Sequence, residues 1–184
     1  MRTAAVLFAF LLLAGCGKSP VHMTDVSGAM PKLDFRLVRA GDGKPVTGED
    51  YRGKVVALYF GYTNCPDVCP TTLADLTRML SHVKSPDVRV LFVSVDPGRD
   101  SPAALAHYAA AFSPQMEGLR GGEQALAQMA RRYRVAYSVD PAPPYTVMHS
   151  NAVFFFDRDG RARLVTTDTS DSAAMAEDVE RLLN

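Results

Sequence analysis

The sequence predicts an α/β fold, a mixed β-sheet sandwiched by helices, from two apolar strands, the helix between them and a later hairpin. The first strand, at 54–60, is a short apolar run rich in β-branched and aromatic residues, as buried strands are. Leucines at helical spacing follow over 70–84, and a second apolar strand covers 88–95. Two buried strands joined through a helix indicate a parallel pair, to which the hairpin adds antiparallel strands.

Turn and cap signals place the remaining elements. Asp-Gly turns mark two hairpins. A Ser-Pro pair precedes one further helix, and a Gly-Gly pair precedes another. These elements are a strand at 35–39 before Gly41-Asp42-Gly43, helices after Ser101-Pro102 and after Gly121-Gly122, strands at 151–157 and 161–166 around Arg158-Asp159-Gly160, and a terminal helix with Met175, Val179 and Leu182 inward. Strands and helices in this order resemble thioredoxin-like domains.

The first 16 residues have the pattern of a lipoprotein signal peptide. Arg2 supplies a positive charge, and 4–14 is an uncharged apolar stretch too short to span a bilayer stably. It ends in Leu-Ala-Gly-Cys, which resembles a bacterial lipoprotein box whose cysteine, here Cys16, is lipidated. The alternatives are an ordinary signal peptide with an incidental cysteine, or a short uncleaved anchor. We expect a protein lipid-anchored in the bacterial cell envelope and facing the periplasm.

A single domain is expected after the signal. Residues 17–31 contain prolines and glycines without apolar periodicity, so we predict a flexible tether there and the domain at 32–184. About 168 residues remain after the signal, enough for one domain that buries roughly 70% of its unfolded surface. The chain has 20 basic and 20 acidic residues and no basic stripe, which argues against nucleic acid as a partner.

Cys65 and Cys69 lie on the predicted strand-to-helix turn. The positive end of a helix favours thiolate over thiol at both positions, and the thiolate is the form that exchanges disulfides and binds metals. Four residues of helix span about 6 Å, near the upper limit for a disulfide, so the pair could also close as one if the turn bends suitably.

Of the four histidines, His149 differs from the others in its surroundings. His22 falls in the predicted tether, and His82 and His107 fall on the outer faces of predicted helices, facing water. His149 lies in a loop that leads into the apolar strand at 152–156. Taken alone, such a histidine is more often structural than a ligand, and sequence spacing by itself cannot bring it to the cysteines.

Three segments resemble the signatures of the Sco/SenC family. Residues 61–73, which contain both cysteines, resemble its copper-site motif. Residues 93–102, with Asp-Pro and Arg-Asp pairs, resemble its second signature, and 148–160, with Met-His-Ser before an aromatic strand, resemble its third. The match covers roughly 30–184 in the right order.

The resemblance implies a thioredoxin-like fold in which copper, as Cu(I) or Cu(II), is held by Cys65, Cys69 and His149. It also implies a role in building the binuclear copper centre of cytochrome c oxidase subunit II, as a metallochaperone, as a thiol reductant, or as both. A periplasmic copper donor and a thiol reductant would then be further partners. The residue types suit this chemistry, because thiolates are soft ligands for Cu(I) and an added imidazole lets the same site hold Cu(II).

Two positions depart from the family pattern. Met148 stands where many members have an acidic residue, and Asn64 stands where relatives often have histidine. We expect Met148 to have a packing role rather than to offer its thioether to copper, and Asn64 to tune exposure. Asp96 and Asp100 could shape the site from a neighbouring loop, but turn formation and capping explain both residues adequately.

The alternative function is that of a general periplasmic thiol–disulfide oxidoreductase of thioredoxin type, with Cys65 and Cys69 as a redox-active pair. Against it stand the extra residue between the cysteines and the lack of proline over 145–150, where such enzymes have a cis-proline beside the thiols. A structural disulfide is less convincing still, because a loop this small gains only about 2 kcal/mol or less.

Overall fold

The computed structural model describes residues 21–184, so the predicted signal peptide and Cys16 lie outside the described residues. The strands are β1 (Thr24–Asp25), β2 (Arg36–Arg39), β3 (Pro45–Thr47), β4 (Val55–Gly61), β5 (Val88–Ser94), β6 (Met116–Arg120), β7 (Tyr137–Asp140), β8 (Thr146–His149), β9 (Val153–Phe156) and β10 (Ala162–Thr166). The helices are α1 (Val68–Val83), α2 (Pro102–Phe112), α3 (Glu123–Arg132) and α4 (Ser172–Leu183), and a short 3-10 helix covers Gly48–Tyr51.

The main sheet has eight strands in the order β1-β10-β9-β4-β5-β6-β2-β3, and β7 and β8 form a separate two-stranded ribbon. The pair β4 and β5 is parallel and is joined through α1, as the apolar runs predicted. On the other side of β4, strand β9 runs antiparallel, and β10 follows β9 as the second strand of the predicted hairpin. The mixed α/β sheet with flanking helices is therefore confirmed.

The core centres on β4 and β5. Every residue of β4 is buried, because the strand has a neighbour on each side and helices cover the sheet. Helix α1 packs against α4, and α2 packs against β6. Among residues 21–184, no helix combines the length and the apolar character that crossing a membrane requires.

The flexible tether predicted at 17–31 is wrong for the part that the structure describes. Met23 is buried, and the backbone N–H groups of His22 and Met23 donate to a carboxylate oxygen of Asp178 on α4, at 2.9 and 2.8 Å. Strand β1 then pairs with the outer edge of β10. Backbone hydrogen bonds and one buried side chain order this segment, so the folded domain includes 21–31. The prediction failed because the segment lacks the apolar periodicity from which a folded element is recognised in a sequence.

Candidate metal site

The turn between β4 and α1 places the two cysteines at the amino end of the helix. Helix α1 begins at Val68, after the N-cap Asp67 and two residues before the start of the predicted range 70–84, so Pro70 is the third helical residue. A helix leaves the backbone N–H at this position without a partner, so a proline, which has no N–H, breaks no helical hydrogen bond there. Cys69 lies in the first turn, and its backbone N–H donates to the Sγ atom of Cys65 at 3.4 Å. The sulfur of Cys65 thus accepts a hydrogen bond from an otherwise orphaned donor at the positive end of the helix.

The pairing of β9 with β4 brings His149 to this turn. The two strands are antiparallel, with Val153 opposite Tyr59, so the segment before β9 and the turn after β4 meet at the same edge of the sheet. His149 ends β8, where it pairs with Tyr137 of β7. The Ser150 N–H donates to the Ala136 carbonyl at 2.9 Å and closes the ribbon behind it.

The three predicted ligands converge. The Nε2 atom of His149 lies 3.3 Å from Cys69 Sγ and 3.9 Å from Cys65 Sγ, and the three ligand atoms lie within 4.8 Å of one another. Both thiols are free. The Nδ1 atom of His149 donates to the Ser150 carbonyl oxygen at 3.0 Å, and this hydrogen bond orients the ring so that Nε2 faces the two sulfurs. Two sulfurs and one imidazole nitrogen form a soft donor set that fits copper.

Two residues that the sequence analysis missed shape the surroundings of Cys69. Tyr59 and Gly61 lie on the same face of β4, because side chains alternate along a strand. The hydroxyl of Tyr59 donates to Cys69 Sγ at 3.7 Å. At Gly61 a Cβ atom would lie only 2.6 Å from that sulfur, so the absence of a side chain makes room for it. The sequence did contain two signals of these roles, a tyrosine with a polar hydroxyl within an apolar strand and a glycine at the end of that strand.

The two thiols differ in acidity because they differ in burial and in hydrogen bonding. Burial opposes ionisation of Cys65, but hydrogen bonds with His149 and with the backbone N–H groups of Cys69 and Asp67 outweigh it and lower the pKa of Cys65 to about 7. Burial raises the pKa of Cys69 to about 12, and the neighbouring Cys65 thiolate adds to the effect. The expectation that the helix end favours both thiolates is right for Cys65 and wrong for Cys69, where desolvation dominates.

A buried carboxylate on the neighbouring loop anchors the cysteine turn. Asp100 is fully buried and accepts hydrogen bonds from the Thr63 N–H at 3.2 Å, the Thr63 hydroxyl at 2.6 Å and the Ser94 hydroxyl at 2.6 Å. Asp96 forms the predicted turn, since its carbonyl accepts from the N–H groups of Arg99 and Asp100. Asp100 therefore does more than turn formation and capping explain.

The remaining predicted positions separate into those near the site and those away from it. His82 and His107 are exposed on their helices, as expected, and Asn64 is exposed beside Cys65. Met148 is 72% exposed, so the predicted packing role is wrong. Side chains alternate along β8, which turns Met148 away from the face that carries His149. No proline falls within 145–150, and a cis peptide bond joins Pro143 to Pro144 in the turn before β8.

Comparison with known proteins points to one family. The family model for SCO1/SenC matches residues 26–184. A Bos taurus relative, Protein SCO2 homolog, mitochondrial, is 40% identical over 137 residues, which cover 71% of this chain and 50% of the relative. The chain thus spans about half the length of this mitochondrial relative and of the Protein SCO2 homolog, mitochondrial, from Mus musculus.

Solved structures of similar proteins include three with copper bound, from Arabidopsis thaliana, Bradyrhizobium japonicum and yeast. ScoI of Arabidopsis thaliana has a TM-score of 0.75 and 32% identity, over 83% of this chain and 97% of that one. ScoI of Bradyrhizobium japonicum has a TM-score of 0.74 and 35% identity, over 82% of this chain and 98% of that one. These similarities confirm the predicted thioredoxin-like fold.

Proposed function

Because this chain belongs to the SCO1/SenC family, we propose that it is a copper-binding assembly factor for the binuclear copper centre of cytochrome c oxidase, with subunit II as its target. The observation that carries the proposal is the convergence of Cys65, Cys69 and His149, whose ligand atoms lie within 4.8 Å of one another. The copper bound to the Arabidopsis and Bradyrhizobium relatives supports copper as the metal.

Each ligand has a distinct part in this proposal. The two sulfurs suffice for Cu(I), and the imidazole of His149 extends the site to Cu(II). Cys69 is buried and Cys65 is partly exposed. The exposed side of Cys65 is therefore where a copper donor or acceptor would exchange ligands with the site.

The unequal acidity of the two thiols favours thiol reduction as a second activity of the same site. The Cys65 thiolate would attack a disulfide of the target, forming a mixed disulfide and releasing one target thiolate. The Cys69 sulfur would then attack Cys65, as its proton passes to His149 Nε2 at 3.3 Å. The target gains two electrons as two thiols, this chain is left with a Cys65–Cys69 disulfide, and an external dithiol of lower potential restores it.

We also propose that the chain is anchored by a lipid on Cys16 and faces the periplasm. The support is the Leu-Ala-Gly-Cys sequence at the end of a short apolar segment, followed by polar residues. A Cys16→Ala variant should leave the membrane fraction if lipidation provides the anchor. If the variant remains in that fraction after an alkaline carbonate wash, an uncleaved apolar segment provides the anchor instead.

Gene deletion tests the proposed function. Loss of the protein should lower cytochrome c oxidase activity, chiefly when copper is scarce, while disulfide formation in other exported proteins stays normal. A Cys65→Ser variant should behave as the deletion does, because it loses both chemistries. His149→Ala should do so only if copper transfer is the essential step. Widespread misoxidation of exported cysteines with normal oxidase copper would instead favour a general oxidoreductase.

A further inference from the structure

Arg99 contacts two further loops around the metal site. Its guanidinium carbon lies 3.8 Å from the ring centroid of Tyr145 and 5.7 Å from that of Tyr62, both within the range of cation–π attraction. Tyr62 belongs to the turn that carries the cysteines, and Tyr145 directly precedes β8, which carries His149. Arg99 itself comes from the loop after β5.

A buried carboxylate holds this arginine in place. Asp96 is 1% exposed, so its charge requires compensating partners. It receives them from the Nε atom of Arg99 and from the hydroxyl of Tyr145, which donates to Asp96 Oδ1 at 2.8 Å. Arg99 and Tyr145 are thus joined twice, directly by stacking and indirectly through Asp96.

The contacts continue from Arg99 to the imidazole. The ring of Tyr62 lies edge-on to His149, with 5.7 Å between centroids and an interplanar angle of 87°. Among the strands formed by residues 21–184, β8, which carries His149, pairs with β7 and not with the main sheet. The pairing of β9 with β4 places the end of β8 at the cysteine turn, and the side-chain contacts of Tyr145, rather than a strand ladder, hold the start of β8 there.

We propose that Arg99 is a positioning residue for the metal site: it clamps the segment that carries His149 onto the cysteine turn and keeps the imidazole within reach of both sulfurs. The proposal rests on the proposed copper function. Loss of the clamp should affect Cu(II) more than Cu(I), because Cu(II) requires the imidazole while two thiolates can hold Cu(I) alone.

The test compares Arg99→Gln with Arg78→Gln. Arg78 is a matched control, because it too pairs with a buried aspartate three residues earlier, Asp75, but on α1 and without an aromatic partner. In Arg99→Gln we expect Cu(II) affinity to fall roughly tenfold, Cu(I) affinity to fall less than about threefold, and the sulfur-to-copper absorption to shift. Arg99→Lys keeps the charge but not the planar stack, and should restore part of the loss. Tyr145→Ala should reproduce the pattern of Arg99→Gln, and Arg78→Gln should leave both affinities unchanged.

A measurement without copper separates this proposal from the proposed function. The ring signals of His149 in the NMR spectrum of the reduced, metal-free protein should be sharp in the wild type and in Arg78→Gln, and shifted or broadened in Arg99→Gln. A wild type that bound no copper would overturn the proposed function, while the metal-free spectra would still report on the clamp. Unchanged His149 signals in Arg99→Gln, or an equal loss of Cu(I) and Cu(II), would overturn the positioning role of Arg99.

Discussion

The Nε2 atom of His149 lies 3.3 Å from the Sγ atom of Cys69, although 80 residues separate them in the chain. The contact depends on the antiparallel pairing of β9 with β4, which sets Val153 opposite Tyr59. The two sulfurs, in contrast, are neighbours within a single turn. The site therefore has a local half, made by the cysteines, and a half that exists only in the folded domain.

Removal of His149 should affect the binding of Cu(II) and of Cu(I) to different extents. In His149→Ala we expect Cu(II) binding to be abolished or strongly weakened and Cu(I) binding to be weakened less, because the two thiolates remain. Chelator competition with each oxidation state measures both. His82→Ala and His107→Ala are the controls, since both histidines are exposed on helices away from the site. If all three variants behave alike, His149 is not a ligand.

Thiol reactivity should reveal the difference in acidity. The pKa of Cys65 is lowered to about 7 and that of Cys69 is raised to about 12, so raising the pH through 7 should ionise Cys65 while Cys69 stays protonated. Iodoacetamide should label Cys65 first, with a midpoint near pH 7, as read by peptide mass spectrometry. In His149→Ala this midpoint should move to higher pH, because a hydrogen bond that favours the thiolate is lost. Equal labelling of both cysteines near neutral pH would contradict the assignment.

The space beside Cys69 should tolerate no added methyl group. In Gly61→Ala the new Cβ would lie 2.6 Å from Cys69 Sγ and 2.6 Å from Phe92 Cε2, so sulfur and ring must both move. We expect a loss of about 1–3 kcal/mol in the free energy of unfolding, together with weaker Cu(I) binding. Urea unfolding measures the first effect. Gly41→Ala is the control, since a Cβ there meets nothing within 4 Å, and equal stability of the two variants would refute the steric explanation.

The anchor of the cysteine turn should matter for both copper states. The Asp100 carboxylate accepts hydrogen bonds from the Thr63 N–H, the Thr63 hydroxyl and the Ser94 hydroxyl. In Asp100→Asn the side-chain NH2 group replaces one accepting oxygen and faces donors instead. We expect a loss of about 2–3 kcal/mol in unfolding free energy and a comparable loss of affinity for Cu(I) and Cu(II), because both cysteines lie on the released turn. Asp25→Asn, at an exposed acceptor of a single backbone N–H, should change neither. A selective loss of Cu(II) would show that Asp100 acts through His149 instead.

Local patterns predicted the part of the fold that holds the thiols. Strand β4 is apolar throughout, β5 is apolar except for Arg89 and its last residue, Ser94, and α1 has a clear apolar face, so their types and order could be predicted from the sequence. Strand β6 escaped prediction because Glu117 and Gly118 interrupt its apolar pattern. Glu117 is accommodated there by the hydroxyl of Tyr51 at 2.7 Å and by the guanidinium of Arg39 at 3.3 Å, partners distant in sequence.

The part of the fold that holds His149 had no comparable signal. In the β7–β8 ribbon no side chain is fully buried, so no apolar run in the sequence marks the two strands. Resemblance to a family supplied the ligand role of His149, and the pairing of β9 with β4 supplies its physical reason. The contacts of Arg99 with Tyr62 and Tyr145 join three loops through space, and a sequence pattern carries no information about such contacts.

The central claim is that Cys65, Cys69 and His149 hold one copper ion. Anaerobic titration of the reduced protein with copper under chelator competition, beside a Cys65→Ala, Cys69→Ala double variant, tests it most directly. We predict that the wild type binds one Cu(I) per chain tightly, and one Cu(II) with sulfur-to-copper charge-transfer absorption, and that the double variant does neither. A wild-type protein that takes up no more copper than the double variant would contradict the claim.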